Sequence, residues 1–464
     1  MSGHETGGGL VFTLLQRLYA DAEMVEVFSE AATVRSWLAV EASLAACQAS
    51  LGILSEQAAA AIAEATQDTH LDGEELWAQA RNVGYPILPL IRQVARRLPE
   101  EAAGRLHYGA TTQDIMDTGL ALQLRRAVGR LQALLERLGR ALAVHVERHA
   151  GTVMAGRTHA QQAVPTTFGA VLATYLAELS RHEERLEACA RRACQVSAFG
   201  AGGTSAAYGP SVRELRRRMA LDLGLEDAQV PWHTARDGLA ELGSLCALLA
   251  ATCGRLAQEV IALSRTEIGE VSEALGYHRG ASSTMPQKAN PVLSEAIVGL
   301  TASCGPLVAA LFRAMEAGHE RAAGEWQIEW QVVPQVAVLA ASALSVAAEV
   351  VEGLQVYPER MRANLEADGG ALMAEAYMMQ LAEDLGQAGA HDLVYEAVRA
   401  ARAEGCDLYV ALCKARAEAG GGPVARIPPE AYVGEAVAIC ATAQSMWDSR
   451  GPASTVGGSR GEPA

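Results

Sequence analysis

The chain has 464 residues, of which half are hydrophobic and only 5% aromatic, and its formal net charge is −16. This length predicts more than one structural region, and the excess of Ala and Leu over β-branched residues favours helices over strands. The negative charge argues against an obligate nucleic-acid surface, which needs clustered Lys and Arg. We therefore predict an all-α protein in which any anionic substrate is held by a local cationic pocket.

Residues 1–110 are predicted to form a smaller N-terminal helical domain, with "SEAATVRSWLAVEASLAACQASLG" as its main helix. The opening "MSGHETGGGLVF" lacks the basic and apolar regions of a signal peptide, so we expect a cytoplasmic location. The chain has nine cysteines, an odd number without CxxC spacing. We interpret them as reduced and mostly buried thiols.

Long apolar patterns with helical spacing dominate residues 111–360, the predicted central domain. Residues 119–150 carry Leu and Val three and four residues apart, which is typical of an amphipathic helix. Helices that are apolar on several sides need partners on several faces, so we predict a long-helix bundle shared between the subunits of a homo-oligomer. Similar helical patterns occur at about 166–198, 236–272, 291–316 and 333–355.

The most apolar stretch of the chain, "LGSLCALLAATCG" from Leu242, is too short to span a membrane and continues into charged residues. We interpret it as a buried core helix and expect no membrane partner. Residues 361–448 are predicted to form a C-terminal helical domain. The remaining 449–464 lack any apolar period and are predicted to be a disordered tail.

Polar and conformationally special residues collect in the predicted loops between the long helices. A single histidine or serine in such a loop is more often a helix cap than a catalyst. Several such loops between long helices are harder to explain as caps alone. The loops are "HYGATTQD" (107–114), "GRTHAQQAVPTTFG" (156–169), "FGAGGTSAAYG" (199–209) and "GASSTMPQKANPV" (280–292).

The last of these loops contains a pair of serines beside a lysine. Gly280 and the two prolines stop it from continuing the flanking helices. Serine is a weak base at its ordinary pKa, so a catalytic serine needs activation by a neighbouring base, a cation or a helix terminus. Lys288 and backbone amides could supply this activation. A helix-capping loop is the alternative interpretation.

Together, three of these stretches resemble the signature regions of the fumarase/aspartase superfamily. "SSTMPQKANP" is similar to the main signature, with Ala281 where the pattern often has Gly or Ser. "HYGATTQDIMDT" and "GRTHAQQAVPTTFG" resemble the other two regions, in the same order. The likeness covers nearly the whole chain. It implies an enzyme that eliminates a leaving group next to a carbon from which a base has removed a proton.

The resemblance also implies a role for each matching residue. Ser282 would be the base, although the pair leaves open whether Ser283 acts instead. Lys288 and Asn290 would stabilise the aci-carboxylate intermediate, because donors aimed at developing charge contribute most in a closed site. His159 would lie near the leaving group and could give it a proton. Substrate binding is predicted for His107, Thr111, Thr112, Gln113, Thr158, Gln161, Arg236 and Arg321.

The resemblance extends to assembly, because it implies a homotetramer whose sites combine three subunits. The stretches "HYGATTQD" and "GRTHAQQ" bracket the helix predicted at 119–150, whose ends lie some 45 Å apart at about 1.5 Å per residue. One chain cannot easily bring both stretches to one small substrate. We expect neither a metal nor an organic cofactor, because HxxE, CxxC and dinucleotide-binding glycine patterns are missing from the sequence.

Three further stretches, "VPWHTARD", "GHERAAGEWQIEWQVVP" and "RANLEADGGALMAEA", most resemble the 3-carboxy-cis,cis-muconate cycloisomerase branch. That branch commonly carries Trp at the position of His159 and Arg at the position of Ala289. Adenylosuccinate lyases follow the "HER" triplet with a Ser-rich run ending in Arg, whereas this chain has "AAGEWQIEW". We therefore predict a carbon–nitrogen lyase acting on a small succinate-type dicarboxylate, such as nitrosuccinate. The alternatives are a cycloisomerase, an adenylosuccinate lyase and a non-catalytic homologue.

Overall fold

The computed structural model describes residues 13–67, 71–277, 279–281, 284–285 and 287–450. Helices dominate it, which confirms the predicted all-α class. The predicted tail, apart from residues 449 and 450, lies outside the described residues. The helices are Leu14–Tyr19 (α1), Ala22–Val27 (α2), Glu30–Ser50 (α3), Glu56–Gln67 (α4), Gly73–Val83 (α5), Ile87–Ala95 (α6), Glu100–Ala103 (α7), Thr112–Arg148 (α8), Phe168–Ala193 (α9), Val212–Leu223 (α10), Asp237–Leu263 (α11), Val292–Ala314 (α12), Glu325–Glu352 (α13), Pro358–Glu366 (α14), Ala374–Glu404 (α15), Leu408–Glu418 (α16) and Ala436–Asp448 (α17).

Two short antiparallel sheets interrupt the helices in the described parts of the chain. Strands Val153–Thr158 (β1) and Gln161–Thr167 (β2) form a hairpin, and Val271–Ser272 (β3) pairs with Gln355–Val356 (β4). The loop predicted at 156–169 is therefore wrong, because most of it is the hairpin. Its β-branched residues favour an extended backbone once the two strands pair.

Five long helices, α8, α9, α11, α12 and α13, form the central bundle. Two of them start earlier than predicted. Helix α8 begins at Thr112 instead of 119, because the Asp114 carboxylate accepts a hydrogen bond from the Thr111 backbone N–H at 3.2 Å and caps the first turn. Helix α13 begins at Glu325 instead of 333 and carries Pro334 inside it, a position that proline usually avoids.

The central core is built from leucine, alanine and valine side chains of all five long helices. The stretch predicted to be a buried core helix lies in α11, where Leu245, Leu249 and Cys253 are fully buried. The described residues contain no disulfide, and seven of the nine cysteines are buried. Burial raises the pKa of Cys253 to about 12, as expected for an unreactive core thiol.

Two smaller cores flank the bundle. One contains side chains of helices α3, α4, α5, α6 and α10, and the other contains side chains of α14, α15 and α16. The last helix, α17, packs on the central bundle instead, and its Trp447 lies against Gly139 of α8. The domain boundaries stay a prediction.

By length and composition alone, three of the described helices are long and apolar enough to span a membrane. One of them is α11, so the expectation that its apolar stretch is too short was wrong, because the helix extends beyond that stretch on both sides. Helix α13 packs most of its apolar residues into the core, since 78% of its most apolar window is buried. The corresponding share for α11 is 56%. The share is only 33% for α12, whose Phe312 is half-exposed. A single chain therefore leaves most of the apolar window of α12 unburied.

Candidate active site

The start of α8 brings together five of the residues predicted to bind substrate, and we call this region the polar cleft. It consists of His107, Thr111, Thr112, Gln113 and Arg321. The Arg321 guanidinium donates to Gln113 Oε1 at 2.9 Å and lies 3.4 Å from Thr111 Oγ1. It also donates to the carbonyl of Ala201 at 3.1 Å. These contacts hold a cation beside two half-buried threonines, which suits a carboxylate ligand.

The predicted polar loop 199–209 is bound to the polar cleft through Asp114. This buried carboxylate accepts the backbone N–H groups of Phe199 and Gly200 at 3.0 and 2.9 Å and the Tyr208 hydroxyl at 3.0 Å. Burial acts to raise the pKa of Asp114, but the hydrogen bond from His233 and the backbone donors keep it below its ordinary value. The carboxylate therefore stays charged and fixes the loop against the helix start.

The side-chain amide of Gln113 is fully used within the protein. Its Nε2 donates to Asp117 Oδ2 at 3.1 Å and to the carbonyl of His233 at 2.9 Å, while its Oε1 accepts from Arg321. Its relative exposure is 0%. The two donors set which way the amide faces, so its oxygen is turned towards Arg321.

Arg236, also predicted to bind substrate, lies in a buried ion-pair network instead of on the cleft wall. Its guanidinium donates to both oxygens of Asp117 at 2.8 and 3.0 Å, and its Nε donates to Glu329 at 2.9 Å. Burial acts against the charge, yet Asp117 and Glu329 raise the pKa of Arg236 above its ordinary value. The network joins α8, α11 and α13, and Trp326 Nε1 donates to Asp117 at 3.2 Å.

Sequence reasoning missed both carboxylates of this network. Asp117 follows Gln113 by four residues, so one helical turn places the two side chains together, and that spacing was a usable signal. Nothing local pointed to Glu329. The same holds for Glu41 of α3, which forms a 2.6 Å hydrogen bond with His107 Nδ1. Burial opposes protonation of His107, but the bond to Glu41 raises its pKa above the ordinary value.

Thr158, His159 and Gln161 lie exposed at the tip of the β1–β2 hairpin. The hairpin follows the end of α8, whereas the polar cleft lies at its start. Helix α8 has 37 residues, so at about 1.5 Å per residue the two regions of one chain lie roughly 55 Å apart. The fold of one chain therefore does not bring His159 to its own Arg321.

The signature loop connects β3 to α12, and the predicted base, Ser282, lies in it outside the described residues, as does Ser283. The two ends of this loop are joined by a hydrogen bond from the Asn290 backbone N–H to the Gly280 carbonyl, at 2.9 Å, and by a β-bridge between Ala281 and Ala289. Gly280 is required there, because its φ is 64° and a Cβ would overlap the Asn290 carbonyl. Lys288 is exposed and Asn290 half-buried.

Buried Glu273 fixes the point where this loop enters α12. Its Oε1 accepts from the backbone N–H of Ser294 at 2.7 Å and from the Ser294 hydroxyl at 2.8 Å. An acidic side chain at a helix N-terminus is electrostatically favourable. Glu295 lies exposed one residue further on. Across the described part of the chain, no cluster of three or more His, Cys, Asp or Glu side chains is arranged to hold a metal ion.

Comparison with known proteins agrees with this architecture. A family model described as lyase matches residues 18–304. The chain is 38% identical over 430 residues to 3-carboxy-cis,cis-muconate cycloisomerase of Pseudomonas aeruginosa, covering 91% of this chain and 94% of that relative. It is 37% identical over 413 residues to nitrosuccinate lyase of Streptomyces davaonensis, covering 87% of each.

A solved structure extends the likeness to three dimensions. The 3-carboxy-cis,cis-muconate lactonizing enzyme from Pseudomonas putida superposes with a TM-score of 0.86 at 34% identity, covering 94% of this chain and 99% of that one. The matched family model, the relatives and the shared helical-bundle fold lead to one conclusion. The chain belongs to the lyase family of the fumarase/aspartase superfamily.

Proposed function

We propose that this enzyme eliminates a nitrogen leaving group from a small succinate-type substrate, for example converting nitrosuccinate to fumarate and nitrite. The observation that carries the proposal is His159, exposed at the tip of the hairpin. The cycloisomerase branch commonly has Trp at this position. An imidazolium can give a proton to a departing amine or pair with an anionic leaving group, whereas an indole N–H donates a hydrogen bond but does not transfer its proton.

The reaction follows from the assigned residues. Ser282 acts as its alkoxide, stabilised by the positive charge of Lys288 and by backbone amides. It removes a proton from the carbon next to a carboxylate, and the electron pair moves into that carboxylate to form an aci-carboxylate dianion. Lys288 and Asn290 stabilise the added negative charge. The electron pair then returns to form the carbon–carbon double bond while the leaving group departs with the electrons of the carbon–nitrogen bond. An amine leaving group takes a proton from His159, and nitrite departs as the anion.

The substrate carboxylates bind in the polar cleft to Arg321, Thr111 and Thr112. Gln113 and Arg236 support this cleft without binding substrate themselves, because every donor of the Gln113 amide and both carboxylate-facing edges of the Arg236 guanidinium are already engaged. Ala289 follows Lys288 where the cycloisomerase branch commonly has Arg. One cation fewer suits a dicarboxylate better than a tricarboxylate.

The active site is formed between subunits of a homotetramer. The polar cleft and the hairpin of one chain lie roughly 55 Å apart along α8, so one small substrate cannot contact both in a single chain. The low burial of the apolar helix α12 in a single chain supports the same assembly, since exposed apolar surface often marks a contact with a partner. Antiparallel packing of bundles brings loops of different chains together.

A cycloisomerase is the second candidate, supported by the 38% identity to the Pseudomonas aeruginosa enzyme. An adenylosuccinate lyase is less well supported, because Trp326 and Trp330 occupy the run in which that branch carries the cation for the nucleotide phosphate. The aromatic rings of these two residues pack against each other, with centroids 5.0 Å apart.

Turnover of four candidate substrates tests the proposal. The purified protein is mixed separately with nitrosuccinate, aspartate, adenylosuccinate and carboxymuconate, and fumarate is followed by its ultraviolet absorbance and nitrite by a colorimetric assay. We expect fumarate from nitrosuccinate or aspartate, with nitrite in equal amount in the first case. Lactone formation from carboxymuconate, without fumarate from the other three, would establish the cycloisomerase instead.

A further inference from the structure

The turn that carries His159 has an unfavourable backbone conformation. Strands β1 and β2 pair as far as Thr158 and Gln161, so only His159 and Ala160 form the turn. Both residues have positive φ, 50° and 63°. Two-residue turns of this kind favour Asn-Gly, because a Cβ makes the left-handed region costly. Strained turns persist where the surrounding structure holds them in place.

The next residue pair along the hairpin is hydrogen-bonded to other parts of the protein and can keep the turn in place. Arg157 on β1 pairs in register with Gln162 on β2, directly behind the pair that flanks the turn. The Arg157 guanidinium donates to Glu270 Oε2 at 2.9 Å and to Oε1 at 2.6 Å. The Gln162 amide donates to the carbonyl of Asn364 at 3.0 Å. Each strand is thus tied to a residue outside the hairpin.

The two outside residues are tied to each other as well. Asn364 Nδ2 donates to Glu270 Oε1 at 2.7 Å and to the carbonyl of Ile268 at 2.9 Å. Glu270 precedes β3 and Asn364 lies in α14, and the backbone carbonyl of Glu270 accepts from Tyr357 at the start of that helix. The hairpin is therefore clamped to the segment between α11 and β3 and to α14.

The clamp is buried, which makes its geometry well defined. Glu270 has a relative exposure of 0%, and both of its carboxylate oxygens are used by Arg157 or Asn364. Arg157 also lies near Glu259, and its charge partly offsets the effect of burial, which raises the pKa of Glu259 above the ordinary value. A register shift between Gly156 and Arg157 interrupts the regular strand pairing next to the clamp.

We propose that Glu270 and Asn364 are positioning residues for His159, holding both hairpin strands so that the strained turn presents the imidazole in one orientation to a substrate bound at a neighbouring subunit. This inference rests on the proposed role of His159 in the elimination. Neither residue needs to contact substrate. Small displacements of a catalytic group are costly, since a shift of about 1 Å can reduce turnover about a hundredfold.

The test compares Glu270→Gln, which keeps the shape of the side chain and removes its charge, with Glu366→Gln as control. Glu366 is an exposed partner of Arg362 on the same helix as Asn364. For Glu270→Gln we expect kcat to fall about tenfold to a hundredfold with KM within about threefold, because the ground-state contacts remain. The control should retain kcat within about twofold.

A double-mutant cycle separates positioning from general damage to the fold. If Glu270 acts through His159, then adding Glu270→Gln to His159→Gln should cost little further activity, because the imidazole to be positioned is already gone. Losses that add fully would overturn the proposal. Asn364→Asp, which sets a second carboxylate against Glu270, provides the same comparison if Glu270→Gln does not assemble.

A spectroscopic measurement is independent of turnover. With ¹³C-labelled histidine, the His159 imidazole signal is the one lost in His159→Gln. We expect it to shift or broaden in Glu270→Gln and to stay unchanged in Glu366→Gln. An unchanged signal in both Glu270→Gln and Asn364→Asp would refute positioning. Full activity of His159→Gln would instead refute the proposed function, while the signal still reports whether the clamp orients the ring.

Discussion

Replacing Arg236 with Met removes the guanidinium that lies between two buried carboxylates. The Arg236 side chain is 2% exposed, and Asp117 and Glu329 are 1% exposed each. In the variant, both carboxylates lose charge-assisted hydrogen bonds but stay in the interior, where an unpaired charge is costly. Water cannot easily reach them, because Trp326 and the surrounding helices cover the network.

The size of the effect follows from the burial of the network. Removing one partner of a buried ion pair typically costs about 3–5 kcal/mol, whereas an exposed pair contributes about 0–1 kcal/mol. Arg192 provides a matched control, because its guanidinium also forms an ion pair, with the carboxylate of Glu241. These two side chains are 51% and 42% exposed. We therefore expect Arg236→Met to lower the free energy of unfolding by about 3–5 kcal/mol and Arg192→Met by less than about 1 kcal/mol.

Urea denaturation, followed by circular dichroism at one fixed protein concentration, measures both variants. A third variant, with Asp117→Asn and Glu329→Gln added to Arg236→Met, should regain part of the loss, because the interior no longer contains unpaired charge. An Arg236→Met protein as stable as Arg192→Met, but with KM raised more than about tenfold, would refute this reasoning. Arg236 would then bind substrate directly.

The dependence on pH gives a second check on the same network. Burial raises the pKa of Glu329 above its ordinary 4.5, although Arg236 partly opposes this shift. A carboxyl whose folded pKa is raised favours folding while it is protonated, and this contribution is lost as the pH rises through the folded pKa. Removal of Arg236 raises that pKa further. The deficit of Arg236→Met should therefore grow as the pH rises from about 4.5, and a deficit independent of pH would contradict the assignment.

Three other predictions concern catalysis, assembly and packing. Ser282→Ala should abolish nearly all turnover while leaving the Kd for substrate within about tenfold, because a base acts mainly on the transition state, and a variant that keeps most of its kcat would exclude this base. Ser282→Ala and His159→Ala proteins, each strongly impaired, should regain partial activity when mixed, unfolded and reassembled. Hybrid tetramers verified by mass that gain no activity would mean that one chain supplies both residues to a site. Gly139→Ala should lower the free energy of unfolding by about 1–3 kcal/mol, because the added Cβ would overlap the Trp447 ring. An unchanged midpoint in urea titration would mean that the indole moves aside freely.

Local patterns in the sequence were enough to predict the helical class and to group several candidate site residues. Apolar spacing predicts the long helices because each helix must bury a stripe of its own residues. The stretch "HYGATTQD" already keeps Thr111, Thr112 and Gln113 together, since their proximity is set by the chain itself, although the helix start at Thr112 was not predicted. The three signature stretches identified the superfamily for the same reason, because each motif is contiguous.

Tertiary structure alone decided which distant residues meet. The hairpin at Val153–Thr167 forms because its two strands pair with each other. The residue pattern of one strand does not show which other segment will pair with it. Arg236 was predicted to bind substrate, yet the fold surrounds it with Asp117 and Glu329, 119 and 93 residues away. The contact of Glu270 with Arg157 spans 113 residues. A charge in the interior must find a partner wherever the packed helices supply one, and helix packing is a property of the whole chain.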